Sequence, residues 1–556
     1  MSAMNDTDRT REQRGNGATS PFGGAQVAEA ARATGAARAV DGAPGATAAR
    51  AAGATQDAHA VRAAVGEQVA EAVRAAGAAR ARHPLGALAV NERGDGFTCD
   101  GAPWFWLADT CWSAFSNIAL DDWEYYLARR AEQGMNVLQI NTLPQWDRCR
   151  PDLGIYPYAS DDGTVFDWTA PNPQWWERAR EMCRRAQAHG LRPALVLLWC
   201  NYVPGTWGSA IAQRLGAPCM PLQEVRAHVH RVVEELGAFD PVYVVSGDTD
   251  FSSEEAVRYY EEALDAICAE APEQLRCMHI NRANRTLPEQ FLDRLDFYMF
   301  QPGHNYAAQD EAWRLPEDFR ARYPKKPLVN AEPCYEQMGA SRNVYWRFSA
   351  RDCRASAWSS ILSGASAGVT YGAHGVWNWQ TATSDASALG EGFDAPYRWQ
   401  ECLQFAGAWD FGAIPQILER ICVAAPLMPA QELLDDDREG IRVARAGSRI
   451  VAYLPHATRL RLRGCENAAQ DAGTDVGLSA GAGAATQDGA AARLECSPTP
   501  QADGAGAESS FGTCRAYALD LEQRRVAHLT AQLGADGRVV VPQHPFAHDA
   551  LVVLEL

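Results

Sequence analysis

LVNAEPCYE, residues 328–336, is an apolar strand that runs directly into a carboxylate. A buried strand ending on Glu332 is costly unless that acid is paired or used. The segment VYVVSGDTDF, residues 242–251, repeats the arrangement: an apolar run, then Gly247, then Asp248. The same alternation extends in both directions. Strands are predicted at 104–109 (WFWLAD), 136–141 (NVLQIN), 193–199 (PALVLLW), 242–246, 276–280, 297–300, 327–331 and 368–371. Helices are predicted at 121–133, 173–189, 222–236, 253–269, briefly after Thr286, and at 310–321, 350–362 and 399–409. Near-continuous apolar strands suit a parallel sheet covered on both faces. Eight strand–helix repeats favour a (β/α)8 TIM barrel over an open doubly wound sheet. The glycine-rich dinucleotide fingerprint is missing after the first strand, which weakens the open-sheet reading further.

Past about Leu427 the texture changes. IRVARAGSRIVAYLP, CRAYALDL, RVVVP and ALVVLEL are short alternating strands separated by turns, so a small antiparallel β-sandwich is expected at 427–556. Glu466 to Ser509, rich in Ala, Gly, Asp and Thr, reads as a flexible insertion within it. Residues 1–83 are dominated by Ala, Gly and Arg, too small or too polar to build a core. Disorder or a loosely attached helix at 57–82 is expected there, with the catalytic domain at 84–426.

The net charge of −18 argues against a nucleic-acid partner, which would require a basic patch to displace counterions. No apolar run is long enough to span a membrane. The opening MSAMNDTDRTREQRGNG lacks the apolar core of a secretory signal, so a cytoplasmic location is expected. The 15 cysteines show no CxxC pairing and read as reduced, mostly buried thiols; neither a structural zinc site nor a cofactor is expected.

In a (β/α)8 barrel the chemistry lies where strands end. Those positions hold Asp109, Asn141, Trp199 with Asn201, Asp248, His279 with Asn281, Gln301 with His304, Glu332, and the His374–Gln380 segment with Trp377 and Trp379. Gly247 would let the backbone turn sharply before Asp248. Ser253 is a plausible cap for the helix that it opens, and of the two aspartates Asp250 is a better cap candidate than Asp248. The plain structural alternative for Glu332 is a buried pair with an arginine such as Arg342. Glu336 lies further out in its loop and is expected to be solvated or to act through another residue. The fourth and seventh strands face each other across a barrel, so Asp248 and Glu332 can oppose across a sugar. Glycosidic cleavage needs one acid to protonate the leaving oxygen and one carboxylate to meet the anomeric carbon or a water. Carboxyls roughly 5–5.5 Å apart retain configuration, and at about 6.5–9.5 Å they invert it. Trp199, Trp377 and Trp379 could wall the pocket, and Asn141, Gln301, His304 and His374 could bond sugar hydroxyls. Two other readings stay open: a metal-dependent barrel hydrolase using Asp109, His279, His374 and Asp248, and a non-catalytic carbohydrate-binding protein.

The motifs GAPWFWLADTCWSAF (101–115), GMNVLQIN (134–141), the Gly-Asp after the fourth strand, Glu-Pro-x-Tyr-Glu of the seventh and GAHGVWNW (372–379) resemble the apiosidase-like catalytic domain. The likeness covers about residues 90–426 and is similar to glycoside hydrolase family 140. It implies a (β/α)8 barrel that acts on a small-molecule glycoside or oligosaccharide. The activity implied is exo-release of β-linked apiose, a branched pentofuranose, with retention. It further implies Asp248 as acid/base, Glu332 as nucleophile and Asp109 at the pocket floor; His279 and Asn281, from their place at a strand end, are also expected to be substrate contacts. This chain has Ser-Gly-Asp where relatives often have Gly-Gly-Asp, so arabinofuranosides and other sugars stay open. The C-terminal β-domain is similar to one often appended in that family.

Overall fold

The computed structural model describes residues 85–340, 345–383, 395–423, 425–436, 438, 440–464 and 510–556. The expectations for 1–83, for the 57–82 helix, for the insertion and for Arg342 lie outside the described residues.

Eight parallel strands form the barrel: β1 (Trp106–Thr110), β2 (Val137–Asn141), β3 (Arg192–Trp199), β4 (Val242–Gly247), β5 (Arg276–Cys277), β6 (Tyr298–Phe300), β7 (Leu328–Asn330) and β8 (Gly368–Tyr371). β1, β2, β3, β4, β6, β7 and β8 are buried at every position, as expected of strands covered on both faces. They are followed in turn by α1 (Leu120–Glu132), α2 (Pro173–Ala188), α3 (Leu222–Leu236), α4 (Glu254–Glu270), α5 (Glu289–Leu292), α6 (Glu311–Arg322), α7 (Ala350–Leu362) and α8 (Ala406–Gly412). The single helix expected at 399–409 is instead broken into Trp399–Cys402, α8 and Ile414–Ile421.

The strand order β5-β4-β3-β2-β1-β8-β7-β6 leaves one seam, between β5 and β6. There the barrel is stitched without a regular ladder: Asp296 N donates to Arg276 O at 2.9 Å, Ala283 N to Gln301 O at 3.0 Å and Gln301 Nε2 to Ile280 O at 3.0 Å. β5 is shorter than the five residues expected. Beyond it His279 N donates to Ser246 O at 3.3 Å, the Ser246 hydroxyl donates to His279 O at 2.9 Å, and a bridge follows between Thr249 and Ile280.

The C-terminal strands are β9 (Met428–Pro429), β10 (Arg442–Ala446), β11 (Arg449–Leu454), β12 (Leu460–Leu462), β13 (Ser510–Asp520), β14 (Val526–Gly534), β15 (Val539–Val541) and β16 (Ala550–Glu555). They form one antiparallel sheet, ordered β9-β10-β11-β16-β13-β14-β15-β12. A bridge between Leu434 and Leu462 brings its two ends together. The expected sandwich is therefore one curled sheet enclosing its own core.

Alternation along the strands gives that sheet two apolar faces. Ile450, Ala452, Leu454, Val552 and Leu554 fill its interior. Val451, Tyr453, Leu551 and Val553 join the barrel's core instead. Arg354 of α7 pins this junction: Nη2 lies 2.6 Å from Asp549 Oδ1, just ahead of β16, and Nη1 lies 2.6 Å from Asp410 Oδ2 of α8. Among the described residues, no helix is long and apolar enough to cross a membrane.

Candidate active site

β7 delivers Glu332 two residues beyond its last ladder residue, with Pro333 preventing further pairing through its missing N–H. Glu332 is only 9 % exposed. His304 Nε2, from the loop after β6, lies 2.9 Å from Oε1, and His279 Nε2, from the end of β5, lies 3.3 Å from Oε2. Both imidazoles are oriented from behind. Tyr335 N donates to His304 Nδ1 at 3.2 Å, and Asp248 N donates to His279 Nδ1 at 3.2 Å. Each Nδ1 is therefore an acceptor and each Nε2 carries the hydrogen; His304 Nε2 bonds Glu332 Oε1, while His279 Nε2 stands in contact with Oε2 without hydrogen-bond alignment. Burial pushes the Glu332 carboxyl up, and the two imidazoles overcome it, holding the group well below the usual carboxylate range.

Asp248 stands on the other side of His279. It is the residue with positive φ, +55°, in the turn after β4. Gly247 serves a different purpose from the one expected: a Cβ there would lie 2.1 Å from the Trp199 ring. Glycine lets that indole lie against the strand, where it stacks on His279 at 5.8 Å and 29°. The Asp248 side chain is held by Gln301, whose Nε2 donates to Oδ1 at 2.5 Å, and its backbone O accepts from Trp207 Nε1 at 2.8 Å. The helix cap is Ser253, which accepts from Ala256 N at 3.0 Å, while Asp250 accepts from Ser252 N in the turn before it.

Asp248, His279 and Gln301 are thus hydrogen-bonded to one another, His304 is bonded to Glu332, and the two sets meet at the His279–Glu332 contact, with Trp199 against His279. Asn141 closes β2 and is buried. His374 and Trp377 pair with each other, Nε1 donating to Nδ1 at 3.2 Å. Three expected contacts are placed elsewhere. Trp379 is 2 % exposed and stacks on Trp399 at 4.3 Å inside the core rather than walling a pocket. Asn281 accepts from the adjacent Arg282 N and so shapes its own turn. Asp109 is wholly buried, bonded to Arg130 Nε at 2.6 Å and to the Tyr126 hydroxyl at 2.5 Å. Glu336 is also buried, at 4 %, contrary to a solvated position: it accepts from the Tyr371 hydroxyl at 2.6 Å and Gly407 N at 2.9 Å. Burial raises its carboxyl above the ordinary value, against those two bonds.

Sequence reasoning missed Trp112, Tyr335 and Trp207. Trp112 Nε1 donates to the Tyr335 hydroxyl at 2.9 Å and its ring lies 5.4 Å from His279. Trp112 and Tyr335 stand inside the quoted ADTCW and EPCYE motifs, so proximity to strand ends was the available signal.

A (β/α)8 barrel with acids closing β4 and β7, one of them held ionised by paired histidines, is the framework of a glycoside hydrolase. Residues 93–424 match the family described as apiosidase-like, catalytic domain, and the protein belongs to that family. Its substrates are accordingly carbohydrates. No curated protein matches the chain. Similar solved structures include one described as a glycoside hydrolase, 18% identical with a TM-score of 0.61, covering 84% of this chain and 97% of that one. A family 5 glycoside hydrolase from Bacteroides vulgatus is also 18% identical, with a TM-score of 0.61 and coverage of 84% and 93%. A second Bacteroides vulgatus protein, a putative glycoside hydrolase, is 14% identical with a TM-score of 0.56, covering 86% and 83%. At these identities the likeness concerns the fold.

Proposed function

We propose that the protein is a retaining exo-glycoside hydrolase that releases a terminal pentofuranose, β-linked apiose first among them. Asp248 protonates the leaving oxygen while a Glu332 oxygen attacks the anomeric carbon, breaking the glycosidic bond and forming a glycosyl–enzyme ester. Asp248, now ionised, takes a proton from water as that water displaces Glu332. The observation that carries this reading is the pair of imidazoles at Glu332, His304 bonded to Oε1 and His279 in contact with Oε2, which together favour the ionised form that a nucleophile needs. Gln301 Nε2 donates to Asp248 Oδ1 and so fixes the orientation of the carboxyl that would act as acid/base. Among the described residues, no group of three or more His, Cys, Asp or Glu is placed to hold a metal ion, so nothing favours the metal-dependent alternative.

A screen of nitrophenyl furanosides and pyranosides, apiosides and arabinofuranosides included, identifies the sugar. Asp248→Ala and Glu332→Ala are each expected to lower kcat by about 10³-fold or more with the fold intact. Azide should restore turnover in both variants, giving a glycosyl azide of inverted configuration with Glu332→Ala and of retained configuration with Asp248→Ala. Full activity of Glu332→Ala on a responsive substrate would refute the assignment, and an inverted first product in methanolysis would refute retention.

A further inference from the structure

Asn141 is 3 % exposed, yet neither atom of its amide has a partner among the described residues. Three more buried polar atoms near it share that condition: Gln145 Oε1 and Trp146 Nε1 in the loop after β2, and Asn201 Oδ1 just past β3. Contacts tie these four residues into one region of the catalytic face. Asn141 pairs with Val196 across the β2–β3 ladder, and the Tyr202 hydroxyl donates to Pro144 O at 2.6 Å. The Trp146 ring meets Trp207 edge-on at 6.3 Å, and it is Trp207 that bonds the backbone of Asp248. The region therefore adjoins the acid/base.

The loop is rigid. Arg148 donates to Gln145 O at 2.6 Å, to Asp152 Oδ2 at 2.7 Å and to Gly163 O at 3.3 Å. That guanidinium is committed inside the loop, and the Asp147 carboxylate stands in the same loop; the unpartnered atoms of Asn141, Gln145, Trp146 and Asn201 belong to amides and an indole. A buried polar group without a partner destabilises a protein, and four residues with such atoms lie in this one region beside the acid/base. Asn141 Nδ2 and Trp146 Nε1 donate; Asn141 Oδ1, Gln145 Oε1 and Asn201 Oδ1 accept. Hydroxyl groups are neutral partners able to answer both, and a sugar presents several of them together.

We propose that Asn141, Gln145, Trp146 and Asn201 form a hydroxyl-reading wall for a neutral sugar, and that this wall sets which glycosyl group the enzyme accepts. The inference rests on the glycosidase reading above and adds residues that determine specificity. The probes are the best aryl glycoside from the screen and its analogues lacking one ring hydroxyl each. The wild type should prefer the parent over at least one analogue by about 100-fold in kcat/KM. Asn141→Ala and Gln145→Ala should each lower that preference to below about 10-fold, by slowing the parent and sparing the analogue. Asn141→Leu should melt at or above the wild-type temperature, because no protein hydrogen bond is lost. Equal slowing on parent and analogue, an unchanged preference, or a lower melting temperature for Asn141→Leu would overturn the proposal. Calorimetric titration of free apiose and arabinose into Glu332→Gln protein separates the two readings. Binding that weakens at least about 10-fold with Asn141→Ala supports the wall even if no glycoside is turned over, and absence of binding by both pentoses overturns it.

Discussion

At the scale of single residues, Glu332 and Glu336 lie four positions apart in one loop and are driven in opposite directions. Both are buried; the difference is that Glu332 has one imidazole bonded to it and a second in contact, and Glu336 a tyrosine hydroxyl and one backbone N–H. Because its folded pKa lies below the ordinary glutamate value of 4.5, the contribution of Glu332 to stability is complete above about pH 4.5. It is lost as pH falls through the lowered folded value. The same shift places the acid limb of kcat/KM low. Removing one donor in His304→Ala lets burial dominate, so the acid limb should move to higher pH, while His304→Gln, which retains an N–H donor, should restore it partly. A pH–rate profile for the two variants decides the matter; an unmoved limb would mean that His304 does not govern Glu332. The acids that close β4 and β7 were legible because a carboxylate ending an apolar strand has few innocent explanations. Asp109 shows the limit of that pattern: its partner Arg130 is 21 positions away on α1. The missing clue was available, since Arg130 shares the buried face of α1 with Trp123, Tyr126 and Leu127.

At the scale of elements, the catalytic group depends on how closely β3, β4 and β5 end together. Gly247→Ala would drive a methyl into the Trp199 ring and displace the indole that supports His279. The expected outcome is a loss of about 1–3 kcal/mol in stability, with kcat/KM falling by about 10–100-fold through misplaced catalytic groups. Gly407→Ala meets Glu336 Oε2 at 2.3 Å, away from the reacting carboxylates. It should cost about the same in stability, measured by urea denaturation, but spare kcat. The barrel strands were readable from their apolar runs. The course of the β7 loop was not, because Glu336 is buried by tertiary pairing: its N donates to Gly372 O at 2.9 Å, and its O accepts from His374 N at 3.0 Å. Distance along a chain from a strand end does not reveal that the loop returns to pair with the strand's neighbour. The division of AHGVWNWQ was hidden for a similar reason. Trp377 and Trp379 have the same chemistry, and only the partnership of Trp379 with Trp399 sends it inward.

At the scale of the whole molecule, Arg354 is the point on which barrel and sheet converge. It holds Asp410 and Asp549, both buried, and Arg524 adds a second bond to Asp410 at 2.9 Å. Arg354→Ala leaves those carboxylates without their main partner and should cost about 3–5 kcal/mol, read as a shift in the denaturation midpoint. A control with Asp549→Asn should lose less, because the amide keeps a hydrogen-bonding oxygen for the guanidinium. The sheet was legible as alternating strands, but its curled single-sheet form was not, since the closing bridge between Leu434 and Leu462 depends on register rather than composition.

The two apolar faces of β11 and β16 carry a consequence for how the protein melts. One row of side chains belongs to the barrel's core and the next row to the sheet's own, so neither part can lose its structure without stripping the other of buried surface. Heating should accordingly produce a single cooperative transition whose calorimetric and van't Hoff enthalpies agree, and a barrel expressed without the sheet should expose an apolar face and aggregate.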